Sequence, residues 1–383
     1  MKNKKVAIIT MHKVINFGSA LQAWALQTAV QKMGFDALLI DYKYPNDYYY
    51  KHAVQISQVK HSVWKKIRVK KLIHYIKLKL YKRQTQIQRF QEFWNHNFRM
   101  TCSYESLDNL KSKSPNADIY MTGSDQIWNP NTMYGDPAFF LNFGDKQIPR
   151  ISYAASFGTN EINSIYSPRY ADYLSKYTTL GVREKSGRSI IKHLLNRDAT
   201  LVCDPTFLLT AEDYKHLYFQ SRVHINKPYL LAYILDYAYN PYPAIDNVIS
   251  EVSKMLGLHV VYLLCGNVNG YKLGSTTVSD AGPNEFVRLF SDAKFVVTSS
   301  FHGTAFSLIH RKSFYSILPA EDKDSRIASF LKELQLDSRG IKANQTVHLS
   351  SDELLIDYGI VESSIVDYRS KSLEFLRNSL SQC

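Results

Sequence analysis

One stretch of the sequence, residues 294–308, constrains the fold more than any other. Residues 295–297 are Phe-Val-Val, a short apolar run of the kind found in a buried strand of a parallel sheet. A small polar turn with one glycine follows at residues 298–304, and the apolar spacing of residues 305–309 then predicts a helix. The stretch therefore predicts a strand that turns sharply into a helix, as in α/β proteins.

Such a turn points the free N–H groups of the helix at the edge of the sheet, where they and the helix dipole favour an anion. Ser299, Ser300 and Thr304 can donate further hydrogen bonds, and Gly303 would let a ligand approach the backbone. His302 is the one side chain of the turn that can move a proton near neutral pH. Taken alone, the stretch also allows His302 a capping or packing role.

Similar apolar runs recur along the chain, and most end on polar or charged residues. The runs predict strands at residues 5–10, 37–42, 118–121, 150–155, 178–182, 201–203, 229–235, 259–264 and 313–318. The polar residues that follow the first group of strands are Asn16, Asp125, Ser156, Arg183 and Asp204. Ligands of open parallel sheets bind at the carboxyl ends of the strands, so these side chains are predicted to line a site.

The length of 383 residues favours two domains. We predict an α/β protein with two Rossmann-like domains that face each other across a cleft, with a GT-B-like arrangement. The first domain is predicted over residues 1–212 and the second over 213–383, with the link between them near 205–226. The final amphipathic segment, residues 363–380, could pack back on the first domain. There is no G-x-G-x-x-G, so a dinucleotide is not indicated.

The net charge of +13 is concentrated in one segment. Residues 51–100 hold 13 Lys and Arg but one acid, Glu92, with apolar residues at helical spacing between them. This pattern predicts a basic insertion of two helices in the first domain. It is either a solvated helical pair or a surface for anionic lipid headgroups or an acidic partner. Nucleic acid is not expected, because no recognition motif and no further basic surplus extend the segment.

Other features of the sequence bear on location and on metals. No apolar run is long enough to span a bilayer, and the apolar start is too short for a secretory signal. We therefore expect a cytoplasmic protein, held at the inner face of the membrane if the basic segment binds lipid. Cys102, Cys203, Cys265 and Cys383 are scattered, which favours neither a disulfide framework nor a zinc site.

Six short motifs in a fixed order carry a family resemblance. They are Asn16-Phe17-Gly18 with Leu21-Gln22 and Ala25-Leu26, residues 123–128 (GSDQIW), residues 152–158 (SYAASFG), Val182-Arg183-Glu184 with Ser186, Asp204-Pro205-Thr206, and residues 299–303 (SSFHG). In this order the sequence resembles the polysaccharide pyruvyl transferases, from near residue 5 to about residue 340. Each motif is weak alone, but six in order are specific.

The resemblance implies a fold, a reaction and a set of site residues. Members look like two Rossmann-type domains across a cleft, and they transfer the pyruvyl unit of phosphoenolpyruvate onto two sugar hydroxyls as a cyclic ketal. Neither a metal nor a cofactor is implied, and the acceptor is expected to be a sugar that is still linked to lipid. The family's functional Arg and His match Arg183, expected to bind the donor, and His302, expected to be the acid/base.

Other site residues are predicted from their place at the strand ends. Asp125 is a candidate for a catalytic base or a ligand of a hydroxyl, although it could equally cap its loop. Asn16, Gly18, Ser124 and Trp128 are predicted to line the acceptor side of the cleft. Ser299, Ser300, Gly303 and Thr304 join Arg183 on the donor side.

One position departs from the family. Characterised members have an Arg two residues before the His, whereas this sequence has Ser300. Arg326, Arg311 or Lys13 could supply the missing cation. The departure keeps two alternatives open: a GT-B-type glycosyltransferase that uses a nucleotide sugar, or a non-catalytic subunit of polysaccharide assembly.

Overall fold

A computed structural model of the chain describes residues 3–53, 69–237, 239–264, 274–321 and 326–383. Part of the predicted basic segment, residues 54–68, lies outside these ranges, so the prediction of a first helix there is not addressed.

The first sheet contains seven parallel strands in the described part of the chain. They are β1 (Lys5–Ile9), β2 (Asp36–Tyr42), β3 (Met100–Tyr104), β4 (Ile119–Thr122), β5 (Arg150–Ala155), β6 (Thr179–Val182) and β7 (Thr200–Leu201). Its helices are α1 (Phe17–Lys32), α2 (Asp47–Ala53), α3 (Val69–Asn97), α4 (Leu107–Ser112), α5 (Ser167–Ser175) and α6 (Lys185–Leu195). The strand order is β3-β2-β1-β4-β5-β6-β7, the doubly wound order of Rossmann-like domains with one added strand.

The second sheet repeats this order. Its described strands are β8 (Tyr229–Tyr233), β9 (His259–Leu263), β10 (Thr276–Val278), β11 (Phe295–Thr298), β12 (Ser313–Leu318) and β13 (Gly340–Lys342), arranged β10-β9-β8-β11-β12-β13. The helices are α7 (Lys215–Gln220), α8 (Ala244–Met255), α9 (Pro283–Asp292), α10 (Phe301–Ile309), α11 (Arg326–Glu333) and α12 (Tyr358–Ser381). Two Rossmann-like sheets facing each other confirm the predicted fold class. Strands β3, β10 and β13 were not predicted.

The order of the strands fixes where a ligand can bind. In each sheet the order in which strands are added reverses beside the first strand, between β1 and β4 and between β8 and β11. Loops diverge at these two points, at the carboxyl ends of the strands, and leave a crevice. The predicted motifs at Asn16, Asp125 and His302 follow β1, β4 and β11, so all three lie at these crevices.

Helix α3 ties the domains together. Phe90 of α3 stacks on Phe17 of α1 at a centroid distance of 5.4 Å, and Phe17 stacks in turn on Phe286 of α9 at 5.0 Å. The Arg89 guanidinium donates to the carbonyl of Asp280 at 2.9 Å. A solvated insertion is therefore the wrong description of this end of the segment, because its aromatic side chains are buried between the two domains.

Helix α12 also contacts both domains. Near its start, the Tyr358 hydroxyl donates to the carbonyl of Lys312 in the second domain at 2.7 Å. Near its end, the Ser372 hydroxyl accepts a bond from the buried N–H of Cys203, beyond β7. The ring of Phe375 covers Gly181 of β6 so closely that an added Cβ would lie 2.5 Å from it. The helix thus completes one face of the first sheet.

Candidate active site

A cavity of about 940 Å³ lies between the carboxyl edges of the two sheets. Its walls come from both domains. The first domain contributes Met11, Asn16, Ser19, Tyr44, Asp125, Gln126, Thr132, Met133, Gly158, Thr159, Asn160, Glu184 and Ser186. The second contributes Leu235, Tyr237, Tyr239, Asn240, Ser299, Ser300, Phe301, His302, Pro319, Ala320, Glu321, Arg326 and Ile327. A concave site of this size, lined by a few convergent polar groups, is typical of a small-ligand site.

The first turn of α10 brings His302 into this cavity. Ser300 is the N-cap residue, and its hydroxyl accepts a bond from the N–H of Gly303 at 3.3 Å. The N–H groups of Phe301 and His302 lie in the same first turn, where a helix offers them no carbonyl partner. The turn therefore presents two backbone donors beside the imidazole ring of His302.

Gly18 makes room for the imidazole. A Cβ atom added to Gly18 would lie 2.0 Å from Nδ1 of His302, a distance that no real side chain tolerates. The ring therefore packs directly on the backbone of α1, whose own N-cap, Asn16, accepts from the N–H of Ser19 at 3.1 Å. Gly18 was predicted to bind the acceptor. In the structure its contact is instead with His302.

A buried carboxylate holds the other side of the ring. Oδ2 of Asp204 lies 3.6 Å from Nε2 of His302 and accepts a bond from Nη1 of Arg183 at 2.7 Å. Oδ1 of Asp204 accepts from the N–H and the hydroxyl of Thr206, at 3.0 and 2.8 Å. The carboxylate is 1% exposed, so these partners replace water as its source of stabilisation.

The charges of this cluster reinforce one another. Burial alone would raise the pKa of Asp204, but His302 first and Arg183 second outweigh it and hold the pKa well below the usual range. Burial alone would lower the pKa of Arg183, yet Glu184 and Asp204 outweigh it and raise that pKa. Asp204 is therefore ionised, and its negative charge lies beside the imidazole of His302.

Asp125 faces the cavity in a constrained backbone. Its φ angle is 79°, in the left-handed region that few side chains other than Asn and Asp adopt. One carboxylate oxygen accepts from the hydroxyl of Ser19 at 2.5 Å, and the other accepts from the N–H of Gln126 at 2.8 Å. Backbone strain of this kind occurs at functional sites, where the surrounding fold holds it in place.

Two residues predicted on the acceptor side are buried, which corrects those predictions. Trp128 is fully buried, with its ring stacked on Phe140 at 5.5 Å and its indole N–H bonded to the carbonyl of Phe139. Ser124 is also fully buried, and its hydroxyl lies among Arg183 and Asp204. Neither side chain can touch a sugar in the cavity.

Of the residues predicted to bind the donor substrate, some line the cavity and others do not. Ser299 and Ser300 line the cavity, although the hydroxyl of Ser299 also bonds the backbone of Leu235. Thr304 is fully buried and bonds Ser316, and a Cβ on Gly303 would meet Thr298 at 2.2 Å. These two residues shape the turn and do not line the cavity.

Arg183 lies behind the cavity wall. Its side chain is 2% exposed, with Nη1 bonded to Asp204 and Nε bonded to Glu184 at 3.2 Å. Its planar guanidinium also covers the ring of Phe301 at 5.2 Å. With two of its nitrogens engaged, Arg183 offers no bidentate fork to the cavity in this arrangement.

Sequence reasoning left the role of one cavity residue open and gave none to another. Arg326 was one of three candidate cations, and the structure places it on the cavity wall, with the side-chain amide of Gln126 2.8 Å from its Nη2. Burial first, and then the charge of Arg183, lowers the pKa of Arg326. Glu184, adjacent to Arg183 in the sequence, also faces the cavity. The Arg-Glu pair at the end of β6 was the signal that could have found Glu184.

The described residues lack two features that would bear on function. Over these residues, no group of three or more His, Cys, Asp or Glu is placed to hold a metal ion. No helix among them is both long enough and apolar enough to cross a membrane.

Comparison with solved structures gives remote matches. UDP-GlcNAc 2-epimerase from Neisseria meningitidis matches with a TM-score of 0.48 and 10% identity, over 99% of this chain and 100% of the other. The enzyme of that name from Methanocaldococcus jannaschii matches with a TM-score of 0.47 and 12% identity, over 99% and 100%. MurG from Acinetobacter baumannii matches with a TM-score of 0.41 and 10% identity, over 99% and 100%. Similarity at this level says nothing about activity.

Sequence comparison is more specific. No curated protein matches the chain significantly. The two facing sheets with a polar cleft define a GT-B-like fold, and the sequence profile of the polysaccharide pyruvyl transferases matches residues 16–320. The chain therefore belongs to the polysaccharide pyruvyl transferase family, which confirms the resemblance predicted from the six motifs.

Proposed function

We propose that this protein transfers the pyruvyl group of phosphoenolpyruvate onto two hydroxyls of a sugar, as a cyclic ketal, in a polysaccharide or a lipid-linked oligosaccharide. One observation carries the proposal. His302, which contacts the buried carboxylate of Asp204, shares a cavity with Asp125 and with the free N–H groups at the start of α10. An acid, a candidate base and an anion-binding element thus face one space.

The reaction needs these three functions. A proton adds to the methylene carbon of phosphoenolpyruvate, and one sugar hydroxyl adds to the neighbouring carbon. A second hydroxyl then displaces inorganic phosphate from that carbon and closes the ketal ring. Of the two hydroxyl protons, one balances the new methyl group and the other leaves with phosphate. A proton donor and a proton acceptor near one anion site are therefore required.

His302 is the proton donor in this scheme. Oδ2 of Asp204 lies 3.6 Å from Nε2 of His302, and the close packing on Gly18 fixes the plane of the ring. Asp204 is a positioning residue, because its carboxylate is buried beneath the imidazole and does not line the cavity. An acid held in a fixed orientation is suited to protonate a carbon atom, because the group needs no rearrangement when the substrate is bound.

Asp125 is the proton acceptor for the attacking hydroxyls. Its bonds from Ser19 and from the N–H of Gln126 orient the carboxylate on the cavity wall. The acceptor sugar is proposed to lie beside it, against Tyr44, Tyr237 and Asn160, because aromatic faces and amides suit sugar rings and hydroxyls. These residues take the place of Trp128 as the proposed sugar contacts.

A lipid-linked acceptor would lie at a membrane surface, so we extend the proposal to the location of the enzyme. The excess of Lys and Arg in residues 51–100 suits reversible contact with anionic headgroups at the cytoplasmic face. No cofactor is proposed, and phosphoenolpyruvate is the donor substrate.

The test is release of inorganic phosphate from phosphoenolpyruvate. Purified protein is mixed with phosphoenolpyruvate and a panel of lipid-linked oligosaccharides, and the sugar product is examined by mass spectrometry for an added pyruvyl ketal. Parallel reactions contain nucleotide sugars in place of phosphoenolpyruvate, to test the alternative donor. Transfer of a sugar from a nucleotide, without phosphate release from phosphoenolpyruvate, would contradict the proposal. Inactivity on both donors across the panel would favour a non-catalytic subunit.

A further inference from the structure

The family motif places a cation two residues before His302, and Ser300 occupies that position here. The hydroxyl of Ser300 caps the helix at Gly303 and supplies no charge. A donor with both a phosphate and a carboxylate needs a positive side chain in addition to the N–H groups of α10. The three candidates from the sequence were Arg326, Arg311 and Lys13, and the structure separates them.

Two of the candidates are directed elsewhere. Arg311 is 62% exposed and pairs with Glu362 of α12 at 2.6 Å, and it is not among the described residues that line the cavity. Lys13 pairs with Asp41 at 2.8 Å and lines a separate pocket of about 210 Å³. Each charge already has a carboxylate partner away from His302.

Arg326 is placed differently. Of the described residues on the cavity wall, it is the one Arg or Lys side chain. It also borders a void of about 20 Å³ that Arg183 and Glu184 line. Arg326 therefore lies between the buried side chain of Arg183 and the open cavity. Asp125 and Glu184, both described residues of the cavity wall, form no ion pair with Arg326 within 4.0 Å. The guanidinium of Arg326 contacts the side-chain amide of Gln126.

The packing of α11 fixes this position relative to His302. Phe330, one turn after Arg326 and on the same side of α11, meets the ring of Phe301 at a centroid distance of 5.3 Å. Phe301 directly precedes His302 at the start of α10 and also lies against Arg183. The start of α10 and the middle of α11 are thus joined by an aromatic contact.

We propose that Arg326 is the cation that binds an anionic group of the donor, in place of the arginine that the family motif carries before the histidine. The inference rests on the proposed function for the identity of the donor. A guanidinium is suited to the role because its planar donors match a carboxylate or a phosphate in a bidentate geometry. The negative charges of Glu184 and Asp125 partly offset the repulsion between Arg326 and Arg183.

The experiment measures equilibrium binding by calorimetry, so it requires neither an acceptor nor turnover. Wild-type protein, Arg326→Gln and Arg326→Lys are titrated with phosphoenolpyruvate, inorganic phosphate, pyruvate and UDP-GlcNAc. Arg311→Gln and Lys13→Gln are the matched controls, and circular dichroism checks that every variant is folded. We expect Arg326→Gln to weaken binding of phosphoenolpyruvate at least tenfold, Arg326→Lys to recover only part of that loss, and both controls to stay within twofold of wild type.

The panel separates the possible outcomes. If Arg326→Gln weakens the binding of pyruvate but not of phosphate, Arg326 binds the carboxylate of the donor. If it weakens the binding of phosphate but not of pyruvate, Arg326 binds the phosphate group. If wild type binds UDP-GlcNAc and not phosphoenolpyruvate, and Arg326→Gln weakens that binding, the proposed donor is wrong while Arg326 remains the anion-binding residue. Wild-type affinity in a folded Arg326→Gln, a tenfold loss in Arg311→Gln or Lys13→Gln, or no binding of any of the four ligands by wild type would each overturn the inference.

Discussion

Nε2 of His302 lies 3.6 Å from Oδ2 of Asp204, and the two residues belong to different domains. Asp204 follows β7 of the first sheet, and His302 follows β11 of the second. The proposed acid therefore meets its carboxylate only when the two sheets are docked across the cleft.

Replacement of His302 by Ala should lower the rate of phosphate release on the order of 10²- to 10⁴-fold, because the proton donor is lost. The exposed His193 of α6 provides the control, and His193→Ala should keep wild-type activity. A rate for His302→Ala within a few-fold of wild type would exclude the acid role.

A methyl group at Gly18 should inactivate the enzyme without unfolding it. Gly18→Ala would place a Cβ 2.0 Å from Nδ1 of His302, so the ring must turn away from its position over Asp204. We expect phosphate release to approach that of His302→Ala, with a circular dichroism spectrum like wild type. Gly359→Ala, where the nearest atom is 3.1 Å away on the exposed side chain of Asp357, should change neither property. An active Gly18→Ala would mean that the ring has more freedom than the structure gives it.

Arg183→Ala should chiefly destabilise the fold. The substitution leaves the buried carboxylate of Asp204 without its 2.7 Å partner, and breaking a buried pair costs about 3–5 kcal/mol. Urea denaturation measures the free energy of unfolding. Arg311→Ala, which removes an exposed pair, should cost about 1 kcal/mol or less. If Arg183→Ala is as stable as wild type but binds phosphoenolpyruvate weakly, the earlier interpretation of Arg183 as a donor fork is correct.

Acid should weaken the fold through Asp204. Its pKa is lower in the folded protein than the ordinary 3.8, so ionised Asp204 stabilises the fold at pH values above that number. The stabilisation is lost as the pH falls below about 4 toward the folded value. We expect the Tm of wild type to drop more steeply between pH 6 and pH 3 than the Tm of Asp204→Asn. If Tm falls with pH in parallel for the two proteins, Asp204 is not the source of this stabilisation.

The basic segment should bind anionic vesicles. Each Lys or Arg near such a surface contributes about 1 kcal/mol, so several of the 13 in residues 51–100 suffice for reversible binding. Co-sedimentation with liposomes should show binding to anionic and not to neutral lipid. High salt should release the protein, because the Debye length falls to about 3 Å at 1 M. Equal pelleting with both lipids, or binding that survives high salt, would return the segment to a purely structural role.

The fold was predictable because its central strands are buried on both faces. Runs such as residues 295–297 (Phe-Val-Val) are apolar throughout, and the polar turns after them are equally plain in the sequence. The missed strands lie toward the edges of the sheets. In Met100–Tyr104, for example, the residues before Tyr104 are partly or well exposed, so the segment lacks the apolar run that identified the others.

The site was predictable only in part, because its pairings join distant parts of the chain. The sequence identified His302 and Asp125 as reactive groups, but it could not show that Asp204 lies against both His302 and Arg183. Arg183 therefore looked available to a ligand. Trp128 looked like a sugar platform because its loop is polar. Its indole N–H bonds to the carbonyl of Phe139 and its ring stacks on Phe140, and these partners follow eleven and twelve positions later.

The course of helix α12 bears on how the protein is made on the ribosome. The face of the first sheet around Gly181 is covered by Phe375, and the N–H of Cys203 finds its partner in Ser372. Both contacts come from a helix that is synthesised more than 150 residues after the strands it covers. Since a nascent first domain lacks this cover, its sheet face around Gly181 stays uncovered until α12 has been synthesised. The final packing of the first domain therefore waits for α12, even though all seven of its described strands are synthesised earlier.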